Sequence, residues 1–398
     1  MKRRNFIKTT VLGAASIGFY QLHAMEPRLD RFSNKKYCLQ PAASIPVIAE
    51  VDVLVAGGTT GGIASAVSAS KSGASVFLIG SLPYMGEDIC GTYNFLFEKQ
   101  DNPESELGKK IFSSGGNLFP MYVKTLLEKE LIDNNIDFLY SSFVSDVLFG
   151  DDGQPAGLVI SNRTGRQAIL CKSIIDCTPG AYVARLAGGV FTEIQNSGEY
   201  NFSLVTVGIN TESKSGVKVR DLSIPVEIKG KKYNPRESEI TIPLSEFSFA
   251  SRANAEQIIR DRTWDTDQVD SADHISCTYP YRLKSQGACR GNPQDVSDIP
   301  LTAFMPEGMN NFFVLGSCID ASRKITGLIA RPDNMIILGD ILGRTAFKKA
   351  GNKIDASTCS IRPVRGVEYL DGVSGEISET LRPNLGTKKV FSDATALP

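Results

Sequence analysis

Histidine and tryptophan are the scarcest side chains of this sequence, two and one in 398 residues. His23 and His274 are too few for a His-rich metal centre, and a Ser-His-Asp or Cys-His hydrolase would rest on His274 alone. The eight cysteines form no Cys-x-x-Cys pair and no Cys/His spacing of the zinc type, which excludes a structural zinc. They are scattered along the chain from Cys38 to Cys359, unlike the dense pattern of a small stapled domain. A basic excess is also lacking: Lys+Arg 43 against Asp+Glu 44 leaves a net charge of −1, so nucleic acid is excluded as a partner. The apolar run from Val11 to Leu22 is too short, and too interrupted by Gly and Ser, to form a stable membrane span.

What is present is an ordinary globular composition, 42% hydrophobic and 22% charged, in a chain long enough for two or three domains. Residues 1–24 open with Lys2, Arg3, Arg4 and Lys8 and contain no acid. The stretch Arg3-Arg4-Asn5-Phe6-Ile7-Lys8 is similar to the twin-arginine export signal, Arg-Arg-x-Phe-hydrophobic-Lys. That resemblance implies a periplasmic protein exported already folded, often with its cofactor inserted. Residues 25–48 read as a polar linker.

Val51–Ala56 then reads as a buried strand, and Gly57-Gly58-Thr59-Thr60-Gly61-Gly62 follows at once. Ile63–Ser72 reads as an Ala/Ser-rich helix and Gly73–Ile79 as a second strand, which completes a βαβ unit. Such a glycine turn brings backbone N–H groups at a helix N-terminus up to a pyrophosphate. In the pattern Gly-x-Gly-x-x-Gly, Gly57 and Gly62 are the outer glycines and Thr59 replaces the middle one. The acid that usually ends the second strand and binds ribose is Gly80 here, followed by Ser81.

Further segments carry a resemblance to the FAD-dependent oxidoreductases of the two-dinucleotide-binding-domain type. Leu82–Thr92, with Gly86, resembles the stretch that runs beneath FAD in that family. Asp176-Cys177-Thr178-Pro179 is similar to its Asp-Ala-Thr-Gly turn. Asn311–Ser322 and Gly327–Ala346 resemble its closing strand, turn and helix. The resemblance implies an α/β fold, a Rossmann-like FAD-binding domain with a discontinuous second α+β substrate domain. The FAD-binding domain is expected over 49–190 and 300–350, the substrate domain over 191–299, and a surface-wrapping extension over 351–398. In the middle segment Phe202–Asn210 and Ser238–Pro243 read as strands and Ala253–Thr263 as a helix.

FAD is the cofactor this resemblance implies. Gly57, Gly58, Thr59, Thr60, Gly61 and Gly62 would hold its ADP half, with Ser81 and Gly86 beside them. Val144 matches the position whose backbone contacts adenine, and Thr178 and Gly316 would complete the cradle. Asp333 and Asn334, at the start of the closing helix, would face the flavin's pyrimidine edge, where a helix dipole stabilises negative charge. Glu87 and Asp88 are candidates to replace the acid missing at Gly80. Flavin chemistry needs little from the protein beyond position, electrostatics and a base. His274 is the candidate base, and Arg323 with Lys324 would hold an anionic substrate or polarise a carbonyl. Cys90 stands open as a redox partner, a covalent attachment point or an inert thiol. The expected activity is hydride exchange between flavin and a small polar, carbohydrate-like substrate, with re-oxidation by a separate electron acceptor. Two other readings stay open: a flavin-less scaffold acting as a binding protein, and a hydrolase or lyase with a structural flavin.

Overall fold

A computed structural model describes residues 43–94, 103–112, 120–193, 198–208, 216–222, 224–244, 247, 249–264, 267–291, 293–351 and 354–362. The export signal, most of the linker and residues 363–398 of the extension lie outside the described residues.

The first half of the chain alternates strands and helices. β1 (Val47–Ala56) leads through the glycine turn into α1 (Thr60–Lys71), and β2 (Val76–Ile79) follows. Next come α2 (Glu106–Phe112), α3 (Pro120–Asp133), β3 (Asp137–Leu139), β4 (Phe143–Phe149), β5 (Pro155–Asn162), β6 (Gly165–Asp176) and the short α4 (Tyr182–Leu186). The middle of the chain is mostly antiparallel. It comprises β7 (Phe191–Glu193), β8 (Glu199–Gly208), β9 (Lys218–Asp221), β10 (Val226–Ile228), β11 (Lys231–Pro243), α5 (Phe249–Thr263), β12 (Gln268–Ser271), β13 (Ser276–Cys277) and β14 (Tyr281–Leu283). The chain closes with β15 (Phe312–Val314), α6 (Arg323–Ile329), α7 (Pro332–Lys348) and β16 (Ser360–Ile361).

Five strands run parallel in the order β3-β2-β1-β6-β15. Val53, Leu54, Val55 and Ala56 at the end of β1 are all buried, as expected for a strand covered on both faces. The registers align the strand ends: Ala56 lies opposite Ile79 on one side and Asp176 on the other, and Asp176 lies opposite Val314. Four carboxyl ends therefore finish side by side. The N-terminal half of β6 instead pairs antiparallel with β5, extending the sheet through β4. β16 adds to that edge, pairing Ser360 with Phe149, so the segment expected only to wrap the surface supplies a strand.

α1 is buried from Thr60 to Ala69, which explains its Ala/Ser-rich composition: it lies between the sheet and α7. A Cβ at Gly343 of α7 would come within 2.2 Å of the Ser65 carbonyl, so only glycine admits this helix approach. The second sheet is built on β8 and β11, with Phe202 opposite Ile240. β12 and β13 join the free edge of β8. Phe247, just before α5, packs on Tyr200 and Tyr279 with ring centres 5.0 and 5.6 Å apart.

Candidate active site

A cleft of about 740 Å³ opens beyond the carboxyl ends of the parallel strands, where open α/β sheets place their ligands. Ala56 and Gly57, Ile79, Cys177 and Leu315 form its floor, and α5 with residues 274–277 faces them. Eight of the expected cofactor residues line it: Gly57, Thr59, Ser81, Glu87, Asp88, Val144, Thr178 and Gly316. His274 lines it as well.

The turn after β1 is tight for a steric reason. Gly57 has φ +109°, and a Cβ there would sit 2.6 Å from the backbone of Cys177. Thr59, in place of the middle glycine, caps α1: its Oγ1 accepts from the Gly62 amide at 3.0 Å. The loop after β2 folds over this turn. The Gly86 amide donates to the Gly58 carbonyl at 2.6 Å, and the Asp88 carboxylate accepts from the Thr60 amide at 2.8 Å and its hydroxyl at 2.6 Å. Asp88 thus sits on the positive end of α1, and its burial raises its pKa. Thr60, Gly58, Gly61, Gly62 and Gly86 pack the turn and do not line the cleft.

Glu87 places a carboxyl in the cleft beside Ser81, the residue after Gly80. Its Oε2 accepts from Ser81 Oγ at 3.3 Å, while among the described residues its buried Oε1 has no hydrogen-bond partner. Burial, reinforced by neighbouring Asp88, pushes its pKa up to about 7. Across the floor, buried Asp176 accepts from the Thr178 amide at 2.9 Å and the Ala184 amide at 2.8 Å, fixing the turn that carries Thr178.

The structure separates several expected site residues from the cleft. Cys90 is buried, its thiol faces the Pro120 carbonyl, and burial pushes its pKa up to about 12, so it is a protonated core thiol. All seven cysteines among the described residues are free. Arg323 donates from Nη1 to the Tyr279 carbonyl at 2.8 Å and thereby positions the Tyr279 segment. Asp333 accepts from Ser105 Oγ at 2.7 Å and the Glu104 amide at 3.1 Å, tying α7 to the start of α2. Asn334 Nδ2 donates to the Leu328 carbonyl at 2.8 Å and closes the end of α6. The start of α7 is thus held by protein groups.

His274 is partly buried beside the loop after β2, its amide donating to the Gly91 carbonyl at 2.8 Å. Burial lowers its pKa, so the imidazole is neutral at pH 7, and among the described residues its ring nitrogens have no hydrogen-bond partner. Arg252, Glu256, Tyr182 and Tyr279 also line the cleft and were not singled out from the sequence. The helix start expected at Ala253 left Arg252 just outside; α5 begins at Phe249.

A flavin dinucleotide fits this cradle on two counts. The cavity volume is in the range of cofactor sites, and the orphaned Glu87 Oε1 offers an acceptor where ribose hydroxyls are held in dinucleotide folds. Among the described residues no helix is long and apolar enough to cross a membrane.

No curated protein sequence matches the chain. Similar solved structures include a flavin-dependent brominase, 12% identical with a TM-score of 0.47 over 77% of this chain and 81% of that one. A flavoprotein/dehydrogenase from Cytophaga hutchinsonii is 13% identical with a TM-score of 0.45, over 77% and 80%. A geranylgeranyl bacteriochlorophyll reductase-like protein from Thermoplasma acidophilum is 14% identical with a TM-score of 0.43, over 75% and 78%. The family described as FAD dependent oxidoreductase matches residues 52–285, more than half of the chain, from β1 through the glycine turn and the second sheet. With that match over the strands that build the cleft, the chain belongs to the FAD dependent oxidoreductase family and is an FAD-dependent enzyme.

Proposed function

We propose that this protein is exported by the twin-arginine route and exchanges hydride between bound flavin and a small polar, carbohydrate-like substrate. The observation that carries the redox reading is the cleft itself, lined by a neutral imidazole and by a buried carboxyl whose Oε1, among the described residues, has no hydrogen-bond partner. Gly57, Thr59 and Gly316 would lie along the dinucleotide, Glu87 would hold a ribose hydroxyl, and Val144 would meet adenine. Bound flavin supplies the two-electron acceptor.

His274 takes the proton that leaves a substrate hydroxyl or amine. Its burial-lowered pKa keeps it unprotonated near neutrality; the Glu256 and Asp273 charges favour the imidazolium that forms, and Arg260 and Lys124 oppose it. A second cavity of about 480 Å³ shares Asn94, Ser276, Cys277 and Ala330 with the cleft and is lined by Arg220, Glu237 and Glu239. Its polar walls suit a hydroxyl-bearing substrate. Export is supported by Arg3-Arg4-Asn5-Phe6-Ile7-Lys8.

Anaerobic mixing of the purified holoenzyme with sugars, polyols and amines tests this reading. Bleaching of the flavin absorbance is expected with at least one substrate, and His274→Asn should slow it by about 10²–10⁴-fold. Turnover without bleaching would favour a hydrolase or lyase instead.

A further inference from the structure

Arg252 is a cleft cation that, among the described residues, meets no acid. It stands near the start of α5 and lines the cavity. Its Nη1 donates to Tyr182 Oη and, at 3.2 Å, to Tyr279 Oη. The guanidinium carbon lies 5.2 Å from the Tyr279 ring centre and 5.8 Å from that of Phe247. Among the described residues no carboxylate pairs with it, and Nε and Nη2 have no hydrogen-bond partner. Glu256, one turn further along α5, is engaged by Arg260 at 2.8 Å.

Phenols and an aromatic face compensate a desolvated guanidinium only in part, so the cation retains a strong demand for an anion. Its unused N–H groups form the planar fork that matches paired oxygens of a carboxylate or phosphate. The surroundings are held in place: Arg323 fixes the Tyr279 carbonyl, and Phe247 packs edge-on against the Tyr279 ring. Both phenols accept from Nη1 and so hold the guanidinium with Nε and Nη2 left to an anion.

We propose that Arg252, with Tyr182 and Tyr279, forms an oxyanion seat in the cleft. The shared chemistry is a paired-oxygen anion, supplied by a substrate carboxylate or by the dinucleotide's diphosphate. This rests on the reading of the cleft as the flavin site.

The test compares the full-length protein with Arg252→Met, which keeps the stem and removes the charge, and Arg252→Lys, which keeps the charge. Melting curves confirm that each variant is folded. FAD and riboflavin are titrated by flavin fluorescence, while benzoate and its neutral isostere benzamide are titrated by calorimetry, which needs no flavin. Arg252→Met should lose about tenfold or more in affinity for one anion, and Arg252→Lys should recover part of it. A loss for FAD but not for riboflavin assigns the seat to the diphosphate. Unchanged FAD binding with lost benzoate binding, and benzamide inert throughout, assigns it to a substrate carboxylate. A folded Arg252→Met protein that binds FAD and benzoate like the wild type overturns the proposal. A wild type that binds benzoate through Arg252 but takes up no flavin defeats the flavin reading of the cleft and leaves the oxyanion seat standing.

Discussion

Asp88 accepts hydrogen bonds from both the amide and the hydroxyl of Thr60, and so places a carboxylate on the first turn of α1. In dinucleotide folds that helix end attracts phosphate. Here part of its positive potential is already used by the chain's own acid. A diphosphate entering the cleft therefore meets a like charge. Asp88→Asn keeps an oxygen for the Thr60 amide and removes the charge. It should tighten FAD binding by about tenfold while costing under ~1 kcal/mol of stability. Equilibrium titration with FAD reads the first effect and urea unfolding the second; weaker FAD binding in the variant would show that Asp88 assists the cofactor.

Glu87 gives the cofactor-free protein a pH signature. Its folded pKa of about 7 lies above the usual 4.5, so the folded state holds the proton more tightly than the unfolded chain. The stability it contributes is complete below pH 4.5 and is lost as pH rises through about 7. Relative to Glu87→Gln, the wild type should lose up to about 3 kcal/mol over that window. Melting temperatures of both proteins from pH 4.5 to 8 measure it, and parallel curves would count against a buried carboxyl that holds its proton in the folded state.

Cys90 should be dispensable for the chemistry. Cys90→Ala is expected to retain flavin binding and turnover, with a modest loss of stability from the small cavity. The native thiol should resist iodoacetamide at pH 8 and react only on unfolding. Loss of turnover in a folded Cys90→Ala protein would restore the catalytic reading of this residue.

Gly343 should be irreplaceable for packing. Gly343→Ala drives a methyl group to within 2.2 Å of the Ser65 carbonyl and forces α1 and α7 apart. A loss of about 1–3 kcal/mol is expected in denaturant unfolding. A variant as stable as the wild type would mean that the two helices are not held this closely.

Much of this was legible in the sequence where contacts are local. Val51–Ala56, the glycine turn, the Ala/Ser-rich helix and the second strand are contiguous, and the observed elements begin and end within a few residues of those expected. The closing helix was also legible from Pro332, which stands at its first position. The assignments that moved depend on partners far along the chain. Asp333 reads as a helix-start acid, but it meets Ser105 across 228 residues. Thr60 and Asp88 are 28 residues apart, and Arg252 meets Tyr182 across 70. Nothing in a strand or helix period marks such pairs. Each is settled only when the parallel sheet and the second sheet bring their loops to one cleft.

The most direct measurement is an equilibrium titration of the cofactor-free protein with FAD and, separately, with riboflavin, followed by flavin fluorescence. If the ADP half lies against the turn after β1, FAD should bind one to one, at least tenfold tighter than riboflavin, and ADP should compete with it. Equal affinity for FAD and riboflavin, or no saturable FAD binding at all, would contradict a dinucleotide seat at Gly57.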